Sequence, residues 1–262
     1  MGFLSLLGVE WAKIRRSKIL LILVTATVIL WIPSILNAHM NFGMQAEGIS
    51  PENNFFIQGF MAMAWFIFPA SMVVVTVLQN QTERINHGIL KMLALPVDTA
   101  GLCMAKFVVL VLFSGLQFLV SVVMYYISIA IASHTQNYDF FLSPLFVFKE
   151  AAVMWLSSIP MLSFFWLLTV CIRTPIFSIG IGLASIVPSV LMINTRGWFA
   201  YPMAYPFFVI SSEYGKLASN WEVAEVELIP WLPVAALITV ICLLMSCIRF
   251  GAGVRGDNAY EK

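Results

Sequence analysis

MAKFVVLVLFSGLQFLVSVVMYYISIAI, residues 104–131, holds one charged residue, Lys106, and the next charged residue along the chain is Asp139. A helix needs about 20 predominantly apolar residues to cross the hydrocarbon core of a bilayer. A membrane β-strand is shorter and alternates apolar with polar positions, and this stretch does not alternate. The stretch therefore predicts a transmembrane α-helix.

Five further stretches have the same character. The chain is 61% hydrophobic and 10% charged, whereas a soluble domain carries about 25% charged residues. We place the spans at about 18–37, 57–79, 104–131, 149–171, 175–193 and 229–249. These spans predict an all-α membrane protein with six transmembrane helices in one domain, residues 1–262. The tight connection from Cys171 to Pro175 leaves open one long helix with a re-entrant piece in place of two spans.

The basic residues predict the orientation. With the N-terminus inside, all but three of the 14 Lys and Arg residues lie in cytoplasmic segments, the exceptions being Lys149, Arg196 and Lys216. Cytoplasmic loops of membrane proteins carry an excess of Lys and Arg. We therefore expect both termini in the cytoplasm.

Residues 1–16 precede the first span and contain both apolar and basic residues. A signal peptide has its positive charges before its apolar run, and here they follow it. Phe3, Leu4, Leu7, Trp11 and Ile14 share one face of a helical wheel. The segment predicts an amphipathic elbow helix on the inner leaflet, with a partly frayed N-terminus as the alternative.

Motifs of catalysis and metal binding are missing from the sequence. There is no HExxH, no CxxC and no GxxxxGK[ST]. Cys103, Cys171, Cys242 and Cys247 have no metal-ligand spacing, and we interpret them as small apolar residues. We expect no enzymatic activity and no cofactor or metal bound by this chain.

The spans also bear on the energy source of any transport. A proton-driven transporter normally carries an ionisable residue at membrane depth, and we expect none here. A sodium site built from carbonyls and hydroxyls stays open. The most economical interpretation is a permease driven by a separate ATPase.

Such a permease needs a cytoplasmic docking element, and residues 80–103 fit that need. Apolar residues Ile85, Ile89, Met92 and Leu93 recur at helical spacing. Pro96 ends this predicted coupling helix, and Asp98 or Thr99 caps the next one. The candidate docking residues are Glu83, Arg84, Gly88, Lys91 and Pro96. A stable interfacial loop without a partner is the alternative.

The predicted outer loop, residues 194–228, is rich in aromatic residues and proline. Because proline breaks a long helix, we expect two short helical pieces that form a re-entrant segment. Trp and Tyr are favoured at headgroup depth, so these rings form either a lip for an amphiphilic peptide or a belt that fixes depth. The candidate residues are Trp198, Tyr201, Pro202, Tyr205 and Pro206.

Small residues recur in the fifth span. Gly180 and Ala184 are four residues apart, with Gly182 between them. Small residues at this spacing let helices approach closely in lipid. This face is either a seam with a second permease or a contact within the subunit.

Three segments carry a family resemblance: Glu83 to Lys106 with its Leu93-Ala94-Leu95-Pro96-Val97 run, Ile179 to Gly182, and Trp198 to Pro206. They resemble the coupling loop, fifth span and aromatic–proline segment of permeases in the type-2 ABC exporter superfamily. Within it the chain looks most like the lantibiotic-immunity permeases, which clear lanthionine peptides from the membrane with the help of an ATPase.

The resemblance implies partners and a location. We expect an ABC ATPase homodimer that holds the ATP and Mg²⁺, a second six-span permease (the same chain or a homologue) and membrane lipid, but no nucleic acid. The implied cargo is an amphiphilic antimicrobial peptide, and the implied location is a bacterial cell membrane. The alternatives are an exporter of a drug or lipid and a non-transporting membrane scaffold or sensor.

Overall fold

The computed structural model describes residues 2–15, 17–43, 48–85, 98–172, 174–217 and 228–257. These residues form helices and short connections, with no strand among them. The helices are α1 Phe3–Arg15, α2 Ile19–Leu36, α3 Pro51–Ala62, α4 Phe68–Ile85, α5 Thr99–Gln136, α6 Pro144–Ser157, α7 Ile159–Cys171, α8 Pro175–Ile186, α9 Ser189–Met192, α10 Tyr205–Leu217 and α11 Leu228–Asp257. A π-helical turn, Met63–Ile67, joins α3 to α4.

Within the described residues, six helical stretches are long and apolar enough to cross a membrane. They are Ile19–Leu36, Pro51–Gln81, Thr99–Gln136, Pro144–Cys171, Pro175–Met192 and Leu228–Gly251, which we number as the first to sixth spans. The prediction of an all-α protein with six spans is confirmed. Cys171 ends one helix and Pro175 begins the next, so the fourth and fifth spans are separate.

The second, third and fourth spans form the centre of the bundle. At least half of the positions in their apolar windows are buried, against less than a quarter in the first, fifth and sixth spans. The third span packs against α1 and against the first, fourth and sixth spans. The first, fifth and sixth spans therefore present most of the surface available to lipid or to another chain.

Aromatic rings fill the middle of this centre. The Trp31 ring lies 5.5 Å from that of Phe60 and 5.7 Å from that of Tyr125, both edge-on. All three side chains are fully buried. Gly59 makes room for them, because a Cβ at this position would lie 2.5 Å from an atom of the Trp31 ring. Edge-to-face pairs add about 0.5–1.5 kcal/mol each beyond burial of their surface.

Many hydroxyl groups inside the spans are bonded to their own helices, whereas those of Ser128 and Ser189 are buried without a hydrogen-bond partner. Thr27, Thr169 and Ser246 each donate to the carbonyl four residues earlier. An unpaired hydroxyl in hydrocarbon is costly, and this local bond satisfies it without a partner helix. All three residues are buried, and each hydroxyl is satisfied within its own helix.

The bundle has two distinct ends. The N-terminal side holds α1, the end of α4, the start of α5, the connection from Cys171 to Pro175 and the end of α11. The aromatic side, at the opposite end, holds residues 38–43, 137–143 and 193–217. Hydrogen bonds link the helices at both of these ends and also in the middle of the bundle, as between Ser71 and Gln117.

Charged residues lie near the span ends, which extend beyond the predicted limits. Lys106 is in the third span, Glu52 in the second, and Lys149 and Glu150 in the fourth. Lys106, Lys149 and Glu150 also lie inside the predicted spans, whereas Glu52 is included because the second span begins at Pro51. The absence of an ionisable residue at membrane depth stays a prediction. Each of these groups is bonded, as when Tyr138 donates to Glu52 over 2.6 Å.

Candidate functional site

A buried ion pair fixes α1 to the third span on the N-terminal side. The Lys106 Nζ lies 2.7 Å from Glu10 Oε2, and the Lys13 Nζ lies 2.7 Å from Glu10 Oε1. The side chains of Glu10 and Lys106 are at most 2% exposed. Trp11, the residue after Glu10 in α1, stacks on Phe113 of the third span, with ring centres 5.3 Å apart. The predicted N-terminal helix is thus present; Leu6 and Glu10 are buried, and most of its other described positions are exposed.

The remaining surface of α1 has an apolar character. Leu4 is 80% exposed, and Phe3 and Trp11 are about half exposed, whereas Leu6 is buried against the bundle. Exposed apolar side chains on a short helix beside the spans suit the boundary between headgroups and acyl chains. The position of this helix at the membrane surface stays a prediction.

Two amide side chains hold the base of the second span. Gln79 donates from Nε2 to the carbonyl of Lys106 over 2.9 Å, and Asn80 donates from Nδ2 to the carbonyl of Thr169 over 2.9 Å. All four of these bonding residues are buried. The second span is therefore tied to the third and the fourth just before the predicted coupling loop.

The predicted coupling loop is partly described. Helix α4 continues to Ile85 and the third span begins at Thr99, so both helices extend into the predicted loop, residues 80–103. Glu83 and Arg84 lie in the last turn of α4. Gly88, Lys91 and Pro96 lie outside the described residues, so the coupling helix and its docking residues stay a prediction.

The predicted cap that follows the loop is confirmed. The Asp98 carboxylate accepts hydrogen bonds from the backbone N–H groups of Ala100 and Gly101, at 3.2 and 3.0 Å. A carboxylate at this position satisfies unpaired N–H groups of the first turn and interacts favourably with the helix dipole. The start of the third span is thus fixed where the loop joins it.

On the aromatic side, four rings form what we name the outer ring cluster: Trp198, Tyr205, Phe208 and Trp231. Trp198 stacks on Phe208 with ring centres 3.6 Å apart and planes 15° from parallel. Trp231, from the sixth span, lies 5.5 Å from Trp198 and 5.6 Å from Tyr205. The cluster therefore joins the aromatic segment to the sixth span.

Two tyrosines of this segment bond to backbone carbonyls. The Tyr201 hydroxyl donates to the carbonyl of Ser185, and the Tyr205 hydroxyl donates to that of Phe199. Ser185 lies in the last turn of α8, where carbonyls have no partner within the helix. Burial raises the pKa of Tyr205 to about 12 and also raises the pKa of Tyr201. Both hydroxyls therefore stay protonated and able to donate at neutral pH.

The aromatic segment leads into a helix that packs inside the bundle. Pro202 begins a 3₁₀ turn, and Pro206 is the second residue of α10. Proline is tolerated in the first turn because its missing N–H would be unpaired there. α10 packs against α3 and α6, which belong to the second and fourth spans.

The candidate residues of this segment differ in exposure. Trp198 and Tyr201 are half-buried, whereas Pro202, Tyr205 and Pro206 are buried. Tyr205 has no exposed surface, so it supports the segment from within. Among the five, only Trp198 and Tyr201 have appreciable accessible surface.

The small residues of the fifth span face two ways. A Cβ on Gly182 would lie 2.7 Å from Val73 Cγ1, so this glycine permits close packing on the second span. No atom lies within 4 Å of the Cβ position of Gly180, and Ala184 is exposed. Gly182 therefore packs within the subunit, and Gly180 and Ala184 lie on its free surface.

Two important residues were missed at the sequence level. Glu10 was not considered, although a lone carboxylate on an apolar helix of a membrane protein is a signal for a buried partner. Trp231 also went unnoticed, although a Trp beside Pro230 at the start of a span is typical of an interface. Each contacts residues far away in sequence.

The described residues hold no group of three potential metal ligands. All four cysteines are free thiols; Cys103 and Cys242 are buried, and Cys171 is exposed. The described side chains of these regions take part in packing, ion pairing and aromatic contacts.

Comparison with known families agrees with this architecture. Residues 6–189 match the model of the ABC-2 family transporter proteins. The match covers more than half of the chain, and the protein belongs to the ABC-2 transporter family. It is a multi-pass permease, the transmembrane component of an ABC transporter, and permeases of this family normally pair with an ABC ATPase. No curated protein and no solved structure matches the chain.

Proposed function

We propose that this permease exports or clears an amphiphilic antimicrobial peptide, of the lantibiotic type, from a bacterial cell membrane. A separate ATPase, acting as a homodimer, holds ATP and Mg²⁺ and drives the cycle. The family membership carries the proposal of a transporter subunit. The choice of cargo rests on the resemblance to lantibiotic-immunity permeases and on the exposed rings of the aromatic side.

In this proposal the N-terminal side faces the cytoplasm and receives the ATPase. The ATPase docks on residues 83–96. Hydrogen bonds on either side of this segment transmit its movement to the spans. Gln79 and Asn80 link the second span to the third and fourth spans, and Asp98 holds the start of the third. Movement of the loop therefore acts on the three central spans together.

The aromatic side faces outward and contacts the cargo. Trp198 and Tyr201 are half-buried and lie beside the fifth and sixth spans. An amphiphilic peptide has an apolar face that suits indole and phenol rings at headgroup depth. The two rings form a lip along which such a peptide leaves the membrane.

A second permease completes the transporter. The fifth span exposes Ile176, Phe177 and Leu191 over more than 60% of their surface. Gly180 and Ala184 lie on the same span and are also exposed, so they allow another helix to approach closely. A copy of this chain or a homologue packs on this face.

The proposal is tested by resistance to a lanthionine peptide in a sensitive bacterial strain. The strain carries the permease, with any second permease encoded beside it, and the ATPase from the neighbouring reading frame. We expect the inhibitory concentration to rise only when the ATPase is active, with a Walker-lysine variant of that ATPase as the control. Equal protection with the inactive ATPase would support a scaffold or sensor instead. No protection, together with ATP-dependent resistance to a drug, would assign a different cargo.

A further inference from the structure

Two exposed aromatic residues, Trp65 and Phe66, lie near the middle of the second span, and we name them the mid-span ring pair. Trp65 is 41% exposed and Phe66 43%, although this span belongs to the centre of the bundle. The span runs from Pro51 to Gln81. At 1.5 Å per residue, Trp65 is about 21 Å from one end of it and about 24 Å from the other. Because the hydrocarbon core is about 30 Å thick, the ring pair lies in its middle part.

Lipid alone does not explain a tryptophan at this depth. Trp is enriched where the membrane meets water and not in the middle of the hydrocarbon. The exposed residues in the middle of the sixth span are aliphatic, as are Leu237, Ile241 and Leu244. The ring pair also lies on the π-helical turn Met63–Ile67, a rare geometry that occurs frequently at functional sites. Both the residue types and the backbone therefore set this part of the second span apart.

A second permease suits the fifth span better than it suits these rings. Helices in lipid associate closely through small residues, and the exposed small residues Gly180 and Ala184 lie on the fifth span. That span covers the second span where Gly182 meets Val73. The mid-span ring pair lies about two turns from Val73 toward the aromatic side, and there it keeps its accessible surface.

Helix α10 connects the mid-span ring pair to the lip. The Phe207 ring of α10 lies 6.5 Å from that of Trp65, centre to centre. The next residue, Phe208, stacks on Trp198 of the lip with ring centres 3.6 Å apart. α10 also packs against the π-helical turn itself. Aromatic rings therefore follow one another from the middle of the membrane to the outer segment.

From this arrangement we infer that Trp65 and Phe66 bind apolar side chains of the amphiphilic peptide while it is still in the bilayer, before it reaches the lip. The inference deepens the proposed function and rests on it. A peptide inserted in the membrane presents apolar side chains at this depth, and aromatic rings offer them a large contact area. The mid-span ring pair is then the entry of a path whose exit is the lip. Lipid acyl chains and a second permease are the other possible occupants, and the experiment separates them.

The test measures binding of fluorescein-labelled nisin, a lanthionine peptide, to the full-length permease in lipid nanodiscs without ATPase or ATP. Fluorescence anisotropy gives the Kd, and empty nanodiscs of the same lipid give the signal from partitioning alone. Because binding needs no transport, ATP-dependent resistance can persist when this test fails. Failure of the inference and failure of the proposed function are therefore distinguishable.

The variants remove one ring at a time. Trp65→Leu and Phe66→Leu keep an apolar side chain toward the lipid. Phe177→Leu is the matched control, since Phe177 is a ring 65% exposed on the fifth span at the N-terminal side. Light scattering in detergent measures the molar mass of each purified variant, which reports contact between permease copies.

We expect saturable binding of nisin to the wild-type permease. Each ring variant should raise the Kd about 2- to 12-fold, the range for one aromatic contact beyond the burial of its area. The Phe177→Leu control should leave the Kd unchanged, and all variants should have the molar mass of the wild type.

A Kd equal to that of the wild type in both ring variants would overturn the inference. An unchanged molar mass would then leave lipid acyl chains as the occupant, and a lower one would assign the rings to a contact between permeases. No saturable binding beyond that of empty nanodiscs, or an equal rise of the Kd in Phe177→Leu, would also overturn it. If Trp65→Leu does not fold, as judged by size-exclusion chromatography, Phe66→Leu alone decides.

Discussion

The N-terminal side and the aromatic side of the bundle differ in their most prominent contacts. On the N-terminal side these are the buried Glu10–Lys106 ion pair and the hydrogen bonds of Gln79 and Asn80. On the aromatic side, stacked and edge-on rings around Trp198 and Trp231 join the elements. Ion pairs and hydrogen bonds from side-chain amides weaken when the helices that they join shift. Contacts between aromatic rings are individually weak and depend less on direction. In the proposed function, the first set of contacts lies beside the ATPase and the second lies where the cargo leaves the membrane.

The roles proposed for the two ends of the bundle require that the N-terminal side faces the cytoplasm. In a background without the four native cysteines, we expect Gly43→Cys and Thr195→Cys on the aromatic side to react fully with an impermeant maleimide in intact cells. Thr174→Cys on the N-terminal side should react only after permeabilisation. All three positions are exposed, so accessibility to the reagent differs by membrane side alone. Labelling of Thr174→Cys in intact cells would reverse the assignment.

The largest energetic effect should come from the buried ion pair. Lys106→Met leaves Glu10 with Lys13 as its remaining cation, and breaking a buried pair costs about 3–5 kcal/mol. We expect a clear fall in the thermal unfolding midpoint in detergent. The control, Lys216→Met, removes a half-exposed lysine from a pair worth about 0.2–1 kcal/mol. Equal midpoints for the two variants would show that the Glu10–Lys106 pair does not hold α1 in place.

An intermediate effect should follow removal of a ring from the lip. Trp198→Ala loses contact worth about 1–3 kcal/mol, which corresponds to a roughly 5- to 150-fold change in affinity for an apolar partner. We expect lower resistance per amount of protein in the membrane. Tyr205→Ala is the comparison, because its fully buried ring should affect protein level rather than resistance per molecule. Full resistance of Trp198→Ala at normal protein level would contradict the lip. It would support the alternative, in which the rings only fix the depth of the segment in the membrane.

The smallest effect should come from the tyrosine hydroxyls. Tyr205→Phe keeps the ring and loses one hydrogen bond, at a cost of about 0.5–1.5 kcal/mol. The pKa of Tyr205 is raised to about 12, above the value of about 10 in an unfolded chain. The unfolded state then loses its proton first, so stability should fall as pH rises from about 10 to about 12. Thermal unfolding across this range should show a smaller fall for Tyr205→Phe, and an identical fall would contradict the assignment.

The spans and the helix start were predictable because they depend on neighbouring residues. Apolar length decides whether a helix crosses a membrane, and the residues before the third span narrowed its cap to Asp98 or Thr99, of which the structure has Asp98. For Gly182, neighbouring residues were not enough to predict which residue it contacts. Its spacing from Gly180 predicted close packing of the fifth span, but not that Gly182 would meet Val73 while Gly180 faces outward.

Contacts between distant residues explain the rest of what was missed. Glu10 and Lys106 are 96 positions apart, and the helical wheel of residues 1–16 emphasised the apolar face instead. The burial of Tyr205 likewise depends on Trp231 of the sixth span. A sequence shows that aromatic residues crowd one loop, whereas their partners are decided by how the spans pack.

The central claim is that a separate ATPase docks on the N-terminal side through residues 83–96. The most direct test is the amount of ATPase that co-purifies with an affinity-tagged permease, and its ATP hydrolysis rate. Arg84→Glu and Lys91→Glu should each insert normally and lose the ATPase, whereas Lys216→Glu on the aromatic side should retain it. Co-purification at wild-type level and activity with both loop variants would contradict the account.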